Sequence, residues 1–147
     1  MPEIKRILFL CTGNSCRSQM AEGWCRTLGG EHLECDSAGL EAHGINPLAA
    51  QVMAETGVDI SSQQSNTILQ KQDIPFDLVV TVCGHAHEHC PVWPADATVL
   101  HMPFDDPPLL ARDAANEEEA LVHYRRVRDE IREAMTRLVQ EQVVATD

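Results

Sequence analysis

An apolar run that ends directly at a cysteine constrains this chain more than any other feature. Ile7–Leu10 has the length and composition of a buried strand, and it leads without a spacer into a polar loop. The loop consists of Cys11, Thr12, Gly13, Asn14, Ser15, Cys16, Arg17 and Ser18. Its small and polar residues permit tight, partly left-handed turns that point several backbone N–H groups inward. The stretch therefore predicts a strand that runs into an anion-binding loop.

A helix is predicted to begin at this loop. Apolar residues recur at helical spacing between Ser18 and Leu28, and Gly29-Gly30 then stops the pattern. The positive end of the helix dipole would favour a bound anion. The same dipole and the neighbouring Arg17 lower the pKa of a thiol. We therefore expect Cys11 to be a thiolate nucleophile at neutral pH.

The rest of the chain alternates strand and helix patterns. Strands are predicted at Leu33–Ala38, Asp77–Val82 and Val99–Met102, and helices after the N-cap Asn46, at Thr67–Lys71 and along the apolar stripe from Leu121 to Leu138. Pro103–Pro108 is predicted to be a loop, and Val143–Asp147 a frayed tail. Connections of this kind give a parallel sheet with its ligand site at the carboxyl ends of the strands. We expect one α/β domain over residues 1–147, with a four-stranded parallel sheet and helices on both faces in three layers.

Charge and composition exclude several classes of partner. The net charge of −12 argues against nucleic acid and anionic membranes, because both require clustered Lys and Arg. No apolar run approaches the roughly 20 residues that span a bilayer, and the first residues lead straight into a strand. We expect a cytoplasmic monomer. Six cysteines in a cytosolic chain are typical of catalysis or metal binding rather than of structural disulfides.

A second cysteine-containing segment follows the strand at Asp77–Val82. Between Cys83 and Cys90 it also contains His85, His87 and His89. These are zinc-ligand types, but structural zinc sites usually pair ligands across two separate clusters. The segment also fits an ordinary solvated loop. A third interpretation, two redox thiols near a nucleophilic cysteine, is favoured because disulfide exchange needs an attacking thiol and a resolving thiol.

The loop and the residues after it, from Cys11 to Trp24, resemble the thioredoxin-coupled arsenate reductases, a branch of the low-molecular-weight tyrosine phosphatase fold. Further matches to that branch are Ser37-Ala38-Gly39, His43-Gly44, Asn46-Pro47, Asp59-Ile60-Ser61, Asp77–Thr81, Cys83, Cys90-Pro91, Phe104-Asp105-Asp106-Pro107 and Arg126–Ile131. They extend over almost the whole chain. The resemblance implies an enzyme of arsenic detoxification that reduces arsenate to arsenite.

The resemblance also implies residue roles. Arsenate would bind to the backbone of the loop and to Arg17, and Cys11 would attack the arsenic. Cys83 would then attack Cys11 and release arsenite, and Cys90 would form a disulfide with Cys83 for thioredoxin to reduce. Asp106, next to Pro107, would protonate the leaving oxygen. From the residues alone, an ordinary acidic turn before proline is the favoured interpretation of Asp105-Asp106-Pro107.

Two further points come from the resemblance. Some members bind potassium with residues that match Asn14, Glu22, Ser37 and an aspartate, but here Asn66 stands at the aspartate position. Loss of that carboxylate weakens cation binding, so we expect no obligatory metal or cofactor and leave potassium open. No role is assigned to Cys25 or Cys35.

Two other functions remain open. A phosphatase would use Cys11, Arg17 and Asp106 but would not need Cys83 and Cys90, and weak phosphatase side activity is compatible with the loop. A non-catalytic metal or anion sensor would use the Cys/His segment instead.

Overall fold

The first strand lies in the middle of the sheet. In the computed structural model, which describes residues 5–84 and 97–146, β1 (Lys5–Cys11) pairs in parallel with β2 (Leu33–Gly39) and with β3 (Leu78–Thr81). β4 (Thr98–His101) pairs in parallel with β3, which gives the order β2-β1-β3-β4. The predicted four-stranded parallel sheet is confirmed.

Five helices are present in the described residues: α1 (Arg17–Gly29), α2 (Pro47–Glu55), α3 (Ile68–Lys71), α4 (Pro107–Leu110) and α5 (Glu117–Thr146). A short 3-10 turn, Gly30–His32, follows α1. α5 packs against α1 and α2, and α1 also contacts β1 and β2. Asn46 caps α2 as predicted, because its side chain accepts hydrogen bonds from the N–H groups of Leu48 and Ala49 at 2.9 and 3.2 Å.

The core is built around β1. Ile7 through Leu10 are all fully buried, and successive side chains of a strand point to opposite faces. Both faces of this strand are therefore covered, as expected for a central strand of a parallel sheet. β3 is likewise buried, whereas all four residues of the edge strand β4 are exposed.

Two boundaries differ from the prediction. Pro107–Leu110 is helical rather than part of a loop, because proline at the first helical position already has a helical φ and Leu110 N–H donates to the carbonyl of Asp106 at 3.0 Å. α5 extends to Thr146, through the segment predicted to fray, and partly buried Val143 packs against the core. Within the described residues, no helix is long and apolar enough to cross a membrane.

The sheet brings the two cysteine segments to one edge. Leu10 of β1 is in register with Thr81 of β3, so the strands end side by side. Val82 N–H donates to the carbonyl of Leu10 at 2.9 Å and extends this pairing by one step. Cys11 and Cys83 therefore emerge next to each other.

Candidate active site

The loop from Cys11 to Ser18, here called the oxyanion loop, turns at Asn14. This residue has a φ of 47°, in the left-handed region, and its side chain is completely buried. Its Nδ2 donates to Ser18 Oγ at 2.9 Å, and its Oδ1 accepts from the backbone N–H of Asn66 at 2.6 Å. The left-handed turn predicted for this loop is confirmed, and side-chain hydrogen bonds hold it in place.

The carbonyl groups of the oxyanion loop are bonded to the segment that follows β2. Backbone N–H groups of Glu41, His43 and Asn46 donate to the carbonyls of Thr12, Gly13 and Ser15 at 3.0, 2.9 and 2.9 Å. Within residues 5–84 and 97–146, the backbone N–H groups of residues 13–17 have no acceptor in the protein. A row of unpaired N–H groups at the start of a helix is a ready site for an anion.

Cys11 and Cys83 are both buried, and their side chains lie close enough to affect the ionisation of Cys11. Thr12 Oγ1 lies 3.4 Å from the sulfur of Cys83. The contact with Cys83, and then burial, raise the pKa of Cys11 above its ordinary value, while Arg17 and the Thr12 N–H lower it. The direction is opposite to the one predicted, because that prediction considered only the helix dipole and Arg17 and left out burial and the effect of Cys83 on the pKa of Cys11.

Arg17 lies over the loop and reaches Asp106. Its Nη1 donates to the carbonyl of Phe104 at 3.1 Å, and its Nη2 lies 3.7 Å from Asp106 Oδ1. In the described part of the chain, its buried Nε has no hydrogen-bond partner. An unpaired guanidinium N–H is costly to bury, so this donor favours an oxyanion ligand.

These groups enclose a pocket of about 240 Å³. Its walls are formed by Cys11, Thr12, Gly13, Ser15, Cys16, Arg17, His43, Asp106 and Pro108. The predicted nucleophile, arginine and acid are therefore brought together. His43 and Pro108 are the wall residues that were not predicted to belong to the site, and His43 was matched only as part of the His43-Gly44 pair.

The thiol of Cys16 has a different environment from that of Cys11. Burial and the charge of Asp106 raise the pKa of Cys16 to about 12, against a smaller lowering by Arg17. It is therefore protonated at neutral pH and is a poor nucleophile. Its contribution to the site is through its backbone N–H and its place in the pocket wall.

The residues that match the potassium ligands of some relatives are already bonded to one another. Ser37 Oγ donates to Glu22 Oε1 at 2.7 Å, and Asn66 Nδ2 donates to the carbonyls of Ser37 and Gln64 at 3.4 and 3.2 Å. Burial raises the pKa of Glu22 to about 7, which favours its neutral form. A neutral Glu22 supplies no negative charge to these groups.

Cys90 and the three histidines between it and Cys83 lie outside the described residues. The roles predicted for them stay predictions. In the described residues, no group of three or more His, Cys, Asp or Glu side chains could hold a metal ion. The five cysteines described there are all free thiols.

Comparison with known proteins identifies the family. The sequence pattern of low molecular weight phosphotyrosine protein phosphatase matches residues 6–146. The chain belongs to this family.

Similar members of the family carry the name arsenate reductase. The protein of Halalkalibacterium halodurans is 53% identical over 127 residues, which are 86% of this chain and 89% of that protein. The protein of Bacillus subtilis is 51% identical over 129 residues, or 88% and 91% of the two chains. A solved structure described as an arsenate reductase in oxidized state has a TM-score of 0.78 at 31% identity, over 95% of this chain and 99% of that one. The resemblance predicted from the motifs is confirmed.

Proposed function

We propose that this chain reduces arsenate to arsenite by a relay of three cysteines, Cys11, Cys83 and Cys90. The observation that supports this proposal best is the position of the Cys83 thiol beside Cys11, the cysteine that lines the oxyanion pocket. A thiol placed against the nucleophile can attack any adduct formed on it. The names of the relatives support arsenate as the substrate.

The first step is formation of a covalent adduct. The N–H groups of the oxyanion loop and Arg17 bind the arsenate oxygens, and the Cys11 sulfur forms a bond to arsenic as an oxygen leaves. Asp106 lines the pocket and supplies the proton that the leaving oxygen needs to depart as water. Charge from Arg17 and the helix N-terminus favours the thiolate form of Cys11, against the opposite effect of Cys83 and burial.

The second step is reduction. The Cys83 sulfur attacks the Cys11 sulfur, the sulfur–arsenic bond breaks, and its electron pair reduces As(V) to As(III). Arsenite leaves, and Cys11 and Cys83 are joined by a disulfide. Cys90 then attacks Cys83 and frees Cys11, and the dithiol of thioredoxin reduces the Cys83–Cys90 disulfide. The choice of thioredoxin and the role of Cys90 derive from the resemblance to the thioredoxin-coupled branch.

A phosphatase is the second candidate, because Cys11, Arg17 and Asp106 suffice for phosphate-ester hydrolysis. The described structure favours reduction for two reasons. A phosphatase does not require a thiol against its nucleophile. Leu109 and Leu110, which follow Pro108, have exposed aliphatic side chains. They offer no aromatic ring to stack on a phosphotyrosine. We propose at most a weak phosphatase side activity.

We further propose that the enzyme acts as a cytoplasmic monomer in arsenic detoxification and needs no metal or other cofactor. The bonded state of Glu22, Ser37 and Asn66 supports independence from potassium. Activity that is equal in sodium and potassium salts is the expected result.

The test is oxidation of NADPH by thioredoxin reductase and thioredoxin after arsenate is added. We expect turnover by the wild type and none by Cys11→Ser, Cys83→Ser or Cys90→Ser. Cys35→Ser is the matched control, because Cys35 lies on β2 outside the pocket, and it should retain turnover. Multiple turnovers by Cys90→Ser would refute the relay, and a cycle that runs only with glutaredoxin would refute the choice of thioredoxin.

A further inference from the structure

His43 lies at the mouth of the oxyanion pocket, with its ring against the turn of the loop. A Cβ atom at Gly13 would collide with Nδ1 of His43. Glycine at position 13 therefore lets the imidazole approach the loop backbone closely. The ring is one wall of the pocket that Cys11 and Arg17 also line.

The backbone around His43 is fixed to the loop on both sides. Glu41 N–H and His43 N–H donate to the carbonyls of Thr12 and Gly13 at 3.0 and 2.9 Å. Gly44 N–H donates to Ser65 Oγ at 3.1 Å, and this hydroxyl donates to the carbonyl of Asn14 at 2.8 Å. The imidazole is therefore held at the pocket although its side chain is 55% exposed.

Glu41 orients the ring. Its Oε2 lies 2.6 Å from His43 Nε2, so Nε2 carries the proton that the carboxylate accepts. In the described part of the chain, Nδ1 has no hydrogen-bond partner. When the ring is an imidazolium, Nδ1 donates beside the loop while Nε2 donates to Glu41.

We propose that His43, oriented by Glu41, is a second cationic oxyanion-binding residue of this site alongside Arg17. This inference rests on the proposed function for the identity of the substrate, but it concerns binding of any tetrahedral dianion of the arsenate and phosphate class. The dianion accepts a charge-assisted hydrogen bond from Nδ1 of His43. The ring thus adds positive charge at the mouth of a pocket in a chain whose net charge is −12.

Two amide substitutions separate the two ring nitrogens. Asparagine places its amide nitrogen close to the position of Nδ1, whereas glutamine places its amide nitrogen close to that of Nε2. His43→Asn therefore keeps a neutral donor for the anion and loses the contact with Glu41. His43→Gln keeps the contact with Glu41 and loses the donor for the anion.

The experiment measures the Kd of inorganic phosphate by calorimetry on the reduced full-length protein, together with KM and kcat for arsenate. His43→Gln should raise Kd and KM about 3- to 10-fold with kcat unchanged, since the lost bond is charge-assisted but at a partly exposed site. His43→Asn should raise them less than His43→Gln. Equal values for the two variants, wild-type binding by both, or weaker binding by His43→Asn would each overturn the proposal.

A measurement on the wild-type protein tests the role of His43 without any substitution. The ¹⁵N resonance of His43 Nδ1 should shift as phosphate is added, and by more than that of Nε2, because the anion bonds to Nδ1. Unchanged resonances at saturating phosphate would overturn the proposal. Phosphate binding without arsenite production would instead refute the proposed function and leave the role of His43 intact.

Discussion

The thiol of Cys83 lies beside the thiol of Cys11, which lines the oxyanion pocket. The contact follows from the register of two parallel strands, because Leu10 faces Thr81 and the following residues leave the sheet side by side. A parallel pair places the carboxyl ends of both strands at one edge, about 4.8 Å apart. The fold alone thus brings the two thiols together.

Removal of Cys83 should make Cys11 more reactive before any substrate is present. Contact with Cys83 is the largest cause that raises the pKa of Cys11, and Arg17 and Thr12 N–H then act without that opposition. The thiolate fraction of Cys11 at pH 7 should therefore increase in Cys83→Ala. The measurement is the rate of iodoacetamide alkylation of the Cys11 peptide by mass spectrometry, with Cys35→Ala as the control. A rate no greater than that of the wild type would contradict this account of the pair.

Asp106 and Asp105 offer a matched comparison of adjacent carboxylates. Asp106 lines the pocket near Arg17, whereas Asp105 pairs on the surface with Arg126 at 3.0 Å. Loss of a general acid costs about 10²- to 10⁴-fold in rate, so Asp106→Asn should lower single-turnover arsenite release by about that factor. Asp105→Asn should change it less than about 2-fold, since surface ion pairs contribute little. Equal effects of the two substitutions would refute the assignment of the acid.

Glu22 should make folding stability depend on pH. Burial raises its pKa from 4.5 to about 7, so the folded protein holds a proton between these values that the unfolded chain releases. Stability should thus fall as pH rises from about 4.5 to 7 and stay lower above it, by at most about 3 kcal/mol.

The isosteric variant Glu22→Gln keeps an oxygen for Ser37 and removes this titration. The measurement is the urea unfolding free energy of both proteins at pH 5 and pH 8. We expect the wild type to lose stability relative to Glu22→Gln between these two values. A difference between the proteins that is the same at both pH values would show that Glu22 is ionised normally.

Asn14 should be important for stability as well as for the shape of the loop. Asn14→Ala loses the hydrogen bonds to Ser18 and Asn66. It also places alanine, whose side chain makes no compensating hydrogen bond, at a left-handed φ that residues with a Cβ atom disfavour. We expect a loss of about 2–4 kcal/mol in unfolding free energy. Asn14→Gly should be less damaging by about 1 kcal/mol, because glycine accepts this φ freely. Urea denaturation measures the unfolding free energy of both variants. An alanine variant more stable than the glycine variant would contradict the role of the left-handed turn.

Local patterns predicted much of the fold and the centre of the site. Apolar runs, the Asn46-Pro47 cap and the helical spacing in α5 located the main elements, because each leaves a signal within a few residues. The loop from Cys11 to Ser18 was located by the same kind of signal. The start of α4 at Pro107 was missed, since two prolines in a row indicate a turn and a helical start equally.

Properties that depend on contacts between distant segments were not predictable from these patterns. The sequence predicted that Cys83 lies near Cys11, but not that Cys83 and burial would outweigh Arg17 in setting the pKa of Cys11. His43 enters the pocket because the segment after β2 is bonded to the loop, a contact without a sequence signature. The bonding of Asn66 to Ser37 likewise arises from tertiary structure, although the substitution itself was visible in the sequence.

The most direct test of the relay is a single turnover by Cys90→Ser. Without Cys90, the reaction should stop after one equivalent of arsenite with Cys11 and Cys83 joined by a disulfide. Peptide mapping under non-reducing conditions, after one equivalent of arsenate, detects that bond, and arsenite is quantified in the same sample. We predict one Cys11–Cys83 disulfide for each arsenite released. Arsenite release with Cys83 still a free thiol would contradict the relay.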